Sequence, residues 1–302
     1  MTKFLLSLAL ALPIFAHAKE INNVWLPFAG GNLETVCRTL WNTYDTYFQT
    51  SSVLHLKQGA SGEIASRDML DSTAANKAIC AGGTMILYNK YLFPDAKTHG
   101  DDLEMVVKVV NFPTVWYGPN RTPAVKSLDE YVSYLKSLKR PINVGVFQGP
   151  NRTVVQYLAK AYGLDTNVVM FKNGPQMYPS LIDGTLDLAF DSGGGVGVAE
   201  EGKFKVVGYT ATGKTSRLKQ YQNFALNSKE LANIESWFGI AVPKNADPAF
   251  KELLAKRIEF IVRQEKFQTF ADNAVSSADG LTGQKLVDNI QSQRTVIRKY
   301  WQ

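Results

Sequence analysis

Histidine and cysteine are scarce. Three histidines and two cysteines in 302 residues leave little material for a zinc cluster and too few thiols for a disulfide-stapled mini-domain. A strong bias of charge is missing as well. Lys+Arg number 33 and Asp+Glu 27, a formal charge of +6, and the excess is scattered along the chain. That excludes a nucleic-acid footprint but favours an anionic small molecule. No apolar run beyond the first 18 residues approaches the roughly 20 residues that a membrane helix needs. What remains, 45% hydrophobic and 20% charged residues, is a globular balance that excludes disorder, collagen-like repeats and a coiled coil. At roughly 100–200 residues per domain, the length predicts two domains, each with a real core.

The one apolar run at the N-terminus is short. Lys3 precedes Phe4–Phe15, and Ala16-His17-Ala18 precede Lys19-Glu20. A positive start, a brief hydrophobic segment and a small-x-small site predict a secretory signal peptide cleaved after Ala18, with a bacterial periplasm as destination. No cysteine follows the cleavage site to take a lipid anchor. His55 and His99 then stand alone among polar residues and read as bystanders rather than ligands. Cys37 and Cys80 match no metal spacing. In an oxidising compartment they are either a disulfide joining the first helix to a strand or two buried apolar thiols.

The mature chain alternates β-branched runs with helical patterns. Strands are expected at 23–28, 52–56, 78–81, 106–110 and 115–117. Ala29-Gly30-Gly31 ends the first, and Asn32 is placed to cap a helix through Leu33, Val36, Leu40 and Tyr44. A helix follows Gly59–Gly62, from Glu63 to about Leu70. A second unit starts near Asn120, with an amphipathic helix over 127–138, strands at 142–147, 168–171, 187–190 and 205–209, and a helix at 154–162. From Trp237 a strand and a long helix over 247–262 follow, then further helices to the C-terminus. Strand, glycine turn and helix in repetition indicate parallel α/β sheets. The chain is expected to pass to a second lobe and return: residues 19–119 with 237–302 form lobe 1, and 120–236 form lobe 2.

Glycine turns at the carboxyl ends of parallel strands are where ligands sit, because backbone N–H groups can approach closely there. Four such turns occur, at Ala29–Asn32, Ala81–Thr84, Gln148–Thr153 and Asn173-Gly174. Together they favour anion binding. Gly208–Thr215 satisfies a phosphate-loop pattern after a strand, but 216–223 is polar and lacks helical periodicity, so it reads as a surface loop with a solvated lysine. Pro119-Asn-Arg-Thr122 recurs as Pro150-Asn-Arg-Thr153; the first is expected in a crossover loop and the second at the site. Gly193-Gly194-Gly195 after Asp191-Ser192 is either a lid or a linker.

These turns carry a family pattern. Pro27-Phe28-Ala29-Gly30-Gly31-Asn32-Leu33-Glu34 with Arg38 resembles the P-F-x-x-G-G-x-x-D-x-x-A-R opening of the Bug-type solute receptors of tripartite tricarboxylate transporters. Gly59-Ala60-Ser61-Gly62-Glu63-Ile64 is similar to their G-A-G-G-x-I. Lys126-Ser127-Leu128-Asp129-Glu130 resembles K-S-L-K-E-L. Phe171-Lys172 through Leu181–Asp191 resembles Y-K-G … L-L-G-G-x-V-D-L-x-F-D, and Trp237–Pro243 resembles W-x-G-L-x-A-P. The chain departs from the pattern with Glu34 in place of an aspartate, and with Gln148–Thr153 in place of G-x-G-T-S-x-H.

The resemblance implies a type II periplasmic-binding-protein fold, two α/β lobes closing on a small carboxylate, with no enzymatic activity, cofactor or metal. It implies a monomer that hands its solute to a membrane permease. The alternatives are a sensor kinase as output or a periplasmic enzyme on the same scaffold, and the solute stays open among di- and tricarboxylates, aromatic acids and amino acids. Carried over residue by residue, it nominates Phe28, Ala29, Gly30, Gly31, Gly82, Gly83, Gly149, Asn151, Thr153, Lys172, Gly174 and Asp191 as ligand-binding. Arg152 joins them on chemistry alone, since a planar guanidinium at a helix start suits a second carboxylate. Trp116 and Phe112 are candidates for the floor of an aromatic pocket.

Overall fold

The computed structural model describes residues 20–98, 100–147 and 149–301. The expected signal peptide, His17 and His99 lie outside the described residues. Among the described residues eleven strands form two sheets. The first holds β1 (Ile21–Leu26), β2 (Ser51–Leu56), β3 (Lys77–Gly82), β4 (Leu103–Phe112), β10 (Ser236–Pro243) and β11 (Ser277–Thr282), in the order β11-β4-β10-β3-β1-β2. The second holds β5 (Thr114–Gly118), β6 (Ile142–Val146), β7 (Thr166–Met170), β8 (Leu188–Asp191) and β9 (Lys205–Thr210), in the order β7-β6-β8-β5-β9.

Both sheets are mixed rather than parallel. β2, β1 and β3 run parallel, as do β7, β6 and β8, while β4, β10, β5 and β9 pair antiparallel. The reason is the crossing. Phe112, where β4 leaves the first sheet, pairs with Ser236, where β10 enters it. Thr114, where β5 enters the second sheet, pairs with Thr210, where β9 ends. Strands that leave and return at one end must run in opposite directions. The change of sheet falls at Pro113, which has no N–H to give a ladder. The strand at 115–117, expected with the first lobe, therefore belongs to the second sheet. Pro119–Thr122, expected as a crossover, lies wholly on that side: Asn120 donates to the Gly202 carbonyl and Arg121 pairs with Asp187.

Period-2 alternation loads each sheet on both faces. Val24, Leu26, Cys80, Phe238 and Ile240 join one core with Leu40, Trp41 and Tyr44 of the helix Gly31–Phe48. Trp25, Ile79, Ala81 and Trp237 join another with Met85 and Leu87. In the second sheet Trp116, Leu188 and Phe190 face one core, and Val115, Tyr117 and Ala189 the other. Trp116, 0% exposed and edge-on to Phe190 and Phe224, is core and floors no pocket. His55 stacks on Trp25 and bonds Asn23, the bystander role expected of it.

Cys37 and Cys80 form a disulfide that ties the helix Gly31–Phe48 to β3 across 43 positions. The helix expected over 127–138 spans Leu128–Ser137, with the Ser127 hydroxyl accepting from the Glu130 N–H. β11 has no counterpart in the sequence reading, which expected only helices after 262. Its sequence SADGLT has little apolar alternation, and Gly280 takes a left-handed φ within an irregular register. Pairing with β4 imposes this edge strand. The C-terminal helix Gly283–Tyr300 spans both units: Leu286 and Ile297 are buried, while Val296 and Tyr300 join the core of the second sheet. Among the described residues no helix is long and apolar enough to cross a membrane.

Candidate functional site

The carboxyl ends of the parallel strands of both sheets point into one cleft. Phe28 follows β1, and Gly82, Gly83 and Thr84 end β3. Phe147, Lys172 and Ser192 follow β6, β7 and β8, and Phe112, Ser236 and Trp237 supply the crossing strands. Asn32, Leu33 and Ser61 complete a lining that encloses about 390 Å³. Three larger hollows, about 440, 660 and 790 Å³, hold none of the convergent turns; the 660 Å³ one lies between β4, β11 and the loop after β9. The smaller cleft occupies the position that strand topology gives to ligands in α/β sheets.

Glycine is required at two of these turns by close approach. A Cβ on Gly83 would lie 3.0 Å from the Trp237 indole nitrogen. A Cβ on Gly149, already at φ +85°, would lie 2.7 Å from the Thr84 hydroxyl. The second unit's turn therefore meets the first unit's third turn at the border of the cleft. Beside it Thr153 donates to the Tyr88 hydroxyl at 3.2 Å, and burial pushes the Tyr88 phenol up.

The site residues expected from sequence separate into groups. Phe28, Gly82, Gly83 and Lys172 line the cleft. Gly149 borders it, and Gly174 opens the helix Gly174–Ile182, whose N-cap is the Asn173 side chain. Asn151 and Thr153 are buried, Asn151 donating to the Phe190 carbonyl. Their helix starts at Pro150, four residues earlier than the sequence pattern suggested. Proline at the first helical position has a preset φ and no N–H to lose, so residues 150–153 are helical rather than a turn; Gln148 lies outside the described residues.

Arg152 points away on that same helix. Its guanidinium stacks on the Trp301 ring at 4.8 Å and lines a separate depression with Val155, Gln156, Val168 and Met170. Ala29, Gly30 and Gly31 lie exposed at the start of the first helix. Asn32 does not cap it. The helix begins at Gly31, and the Gly30 N–H donates to the Glu34 carboxylate, which also accepts from Arg38 at 2.7 Å. That backbone bond, with the arginine, holds the Glu34 carboxyl below its usual range.

Asp191 is fully engaged inside the second unit. It accepts from the Tyr117 hydroxyl at 2.8 Å, the Tyr178 hydroxyl at 2.7 Å and the N–H groups of Gly193 and Gly195. Burial pushes its carboxyl up against four hydrogen bonds that favour the charged form. The glycine loop is thus pinned at both ends to one carboxylate, neither free lid nor slack linker.

Several lining residues were not nominated as ligand-binding from the sequence: Asn32, Leu33, Ser61, Thr84, Phe147, Ser192, Ser236 and Trp237. Phe147 and Ser192 stand directly after strands, a position that could have marked them. Leu33, on the first turn of its helix, and Ser61, in a 3-10 turn, reach the cleft only through the tertiary fold.

The other large hollow on the crossing is closed by charge. Lys108, its side chain 2% exposed, donates to Glu235 at 2.6 Å and Asn289 at 3.2 Å and pairs with Asp279 at 3.2 Å. Glu235 also accepts from Thr212 and Gln293, and Gln293 accepts from the Trp237 indole. The loop with the phosphate-loop pattern lies here with Lys214 exposed, followed by a three-residue 3-10 turn and no α-helix. No helix N-terminus is there to hold phosphate.

The fold recurs in solved structures at low identity. The R. palustris protein Rpa4515, solved with adipate, shares 15% identity at a TM-score of 0.76, over 93% of this chain and 96% of that one. A TctC solute-binding protein from Polaromonas shares 16% at 0.74, over 94% and 99%. MatC from Rhodopseudomonas palustris, solved with malate, shares 18% at 0.66, over 96% and 98%. No curated protein sequence matches the chain. The sequence profile of the tripartite tricarboxylate transporter family receptor, TctC, matches residues 36–298. With two α/β units meeting at a cleft of glycine turns, and a profile match over most of its length, the chain belongs to the receptor family of the tripartite tricarboxylate transporters.

Proposed function

We propose that this receptor is exported through residues 1–18, binds a small carboxylate in the cleft between its two sheets, and delivers it as a monomer to a membrane permease. The observation that carries the reading is Lys172. It stands at the mouth of the cleft among backbone turns, and no described residue forms an ion pair or hydrogen bond with it. An unpaired cation beside glycine turns is a receptor for an anion. Relatives of the same fold are solved with adipate and with malate, both small carboxylates.

Two bodies move in this reading, residues 20–112 with 236–301 and residues 114–235. Pro113 and the Glu235 junction absorb the rotation, and the solute is trapped between Gly83 and Phe147. The helix Gly283–Tyr300 and Trp301 span the two bodies, so closure pivots beside them. The site comprises Phe28, Gly82, Gly83, Thr84, Phe147, Gly149, Lys172 and Ser192. Asp191 positions the Ser192–Gly195 loop from behind, and Arg152 takes no part.

A thermal-shift screen of residues 19–302 against small carboxylates tests the reading. A solute at 100 times its Kd adds about 2.7 kcal/mol, a rise of several degrees for a chain of this size. A shift with a carboxylate and none with its amide supports the receptor; no shift with any carboxylate overturns it. Intact mass of the protein recovered from a periplasmic extract tests export, the expected N-terminus being Lys19.

A further inference from the structure

We propose that the solute is an aromatic monocarboxylate, one carboxylate on a flat apolar body, rather than a di- or tricarboxylate. The proposal rests on the receptor reading of the same cleft.

Charge gives the first argument. Among the described residues that line the cleft, Lys172 is the one charged side chain. The second cation foreseen for a dianion, Arg152, is held on Trp301 outside the cleft. A first-turn donor is also committed, because the Gly30 N–H already serves the chain's own Glu34 carboxylate, which Arg38 fixes. A second solute carboxylate would depend on neutral hydroxyls and backbone N–H groups alone, with no cation to offset its lost water.

The walls give the second argument. Phe28, Leu33, Phe112, Phe147 and Trp237 surround the space. The Phe28 ring and Leu33 lie 3.8 Å from where a Gly82 Cβ would stand, so they cover the floor left by that glycine. Trp237 is fixed by its indole N–H to Gln293 and by contact with Gly83. Rings held from both units fit the face or edge of a planar solute. The remaining polar groups, the Asn32 amide and the hydroxyls of Ser61, Thr84, Ser192 and Ser236, are neutral and suit one carboxylate or a ring hydroxyl.

Titration calorimetry on residues 19–302 tests this, with benzoate, phenylacetate and cinnamate against succinate, malate, adipate and citrate, and with cinnamamide as the uncharged control. The expected result is an aromatic monocarboxylate bound at least about tenfold more tightly than every di- and tricarboxylate. Lys172→Gln is expected to weaken that acid about tenfold and leave the amide unchanged. Phe147→Ala is expected to weaken aromatic acids more than aliphatic ones, with Phe147→Leu and a thermal melt separating this from misfolding. Arg152→Ala is expected to leave all affinities unchanged. Tightest binding of malate, adipate or citrate would overturn the aromatic class and leave the receptor standing. A loss of dicarboxylate binding in Arg152→Ala would overturn the single-cation argument. Binding of no carboxylate would overturn both readings.

Discussion

Two polar hollows flank the strands that cross between the sheets, and they use lysine in opposite ways. On the β4–β11 side Lys108 is buried and fully paired, with Glu235, Asp279 and Asn289 around its ammonium. On the β1–β3 side Lys172 is exposed at the cleft and has no described partner. In the larger hollow Lys108 is therefore neutralised by its carboxylates, while Lys214 stands exposed at the rim. The smaller one has Lys172, with no described partner, and apolar rings around it. Size points to the larger hollow; a cation beside glycine turns at strand ends favours the smaller one as the proposed site.

The largest expected contrast comes from replacing the two lysines in the same way. Lys108→Met should cost about 3–5 kcal/mol, since it leaves Glu235 and Asp279 buried without their cation. Lys172→Met should stay within about 0.5 kcal/mol. Denaturant midpoints of both variants against the parent check this, and equal losses would erase the distinction between the hollows.

Opening the Cys37–Cys80 bond should be nearly as costly. A loop of this length corresponds to about 4 kcal/mol on the chain-entropy account. The cost should fall on the first unit, since both cysteines lie there. A melt in reductant that lowered only one of two transitions would show the sheets unfolding separately and sharpen the comparison between them.

Asp187 supplies a smaller, pH-dependent effect on the second sheet. Burial raises its pKa, but the Arg140 guanidinium, the Asn143 N–H and Arg121 outweigh that, and the net shift is downward. A depressed carboxylate contributes stability that is present above its unfolded pKa, about 3.9, and is lost as pH falls through the lower folded value. Asp187→Asn should cost about 2 kcal/mol at pH 7 and progressively less below about pH 4. A pH-independent loss in urea titrations would refute the assignment.

The smallest effect belongs to the first turn. Glu34→Gln keeps the shape of the side chain while weakening its hold on the Gly30 N–H and on Arg38. It should leave stability nearly unchanged, as expected for an exposed pair. If carboxylate affinity then rises, the Gly30 N–H is a donor that Glu34 withholds from the solute; unchanged affinity places the solute elsewhere in the cleft.

Much was legible in the sequence because local chemistry carries it. Alternating apolar runs gave most strands, and the helices expected from Ser127 and from Asp247 start within a residue of those positions. The ordered motifs from Pro27 to Pro243 identified the family, and Phe28, Gly82, Gly83 and Lys172 line one cleft. The misses have physical causes. Pro150 begins a helix where glycine and proline suggested a turn, and that helix turns Arg152 outward to Trp301, a residue 149 positions away in sequence and unreadable as its partner. Asp191 carries no local sign that four donors already claim it. SADGLT becomes a strand only because β4 offers an edge.

The sequence by itself determined the two α/β units and the glycine turns, since periodicity, turn chemistry and motif order are properties of neighbouring residues, whereas the pairing of Cys37 with Cys80 was decided by the fold. Tertiary structure alone decided which charges are spent and which are free. Lys108 and Lys172 look alike as letters; only the fold surrounds one with carboxylates from distant segments and leaves the other at a cleft lined by rings.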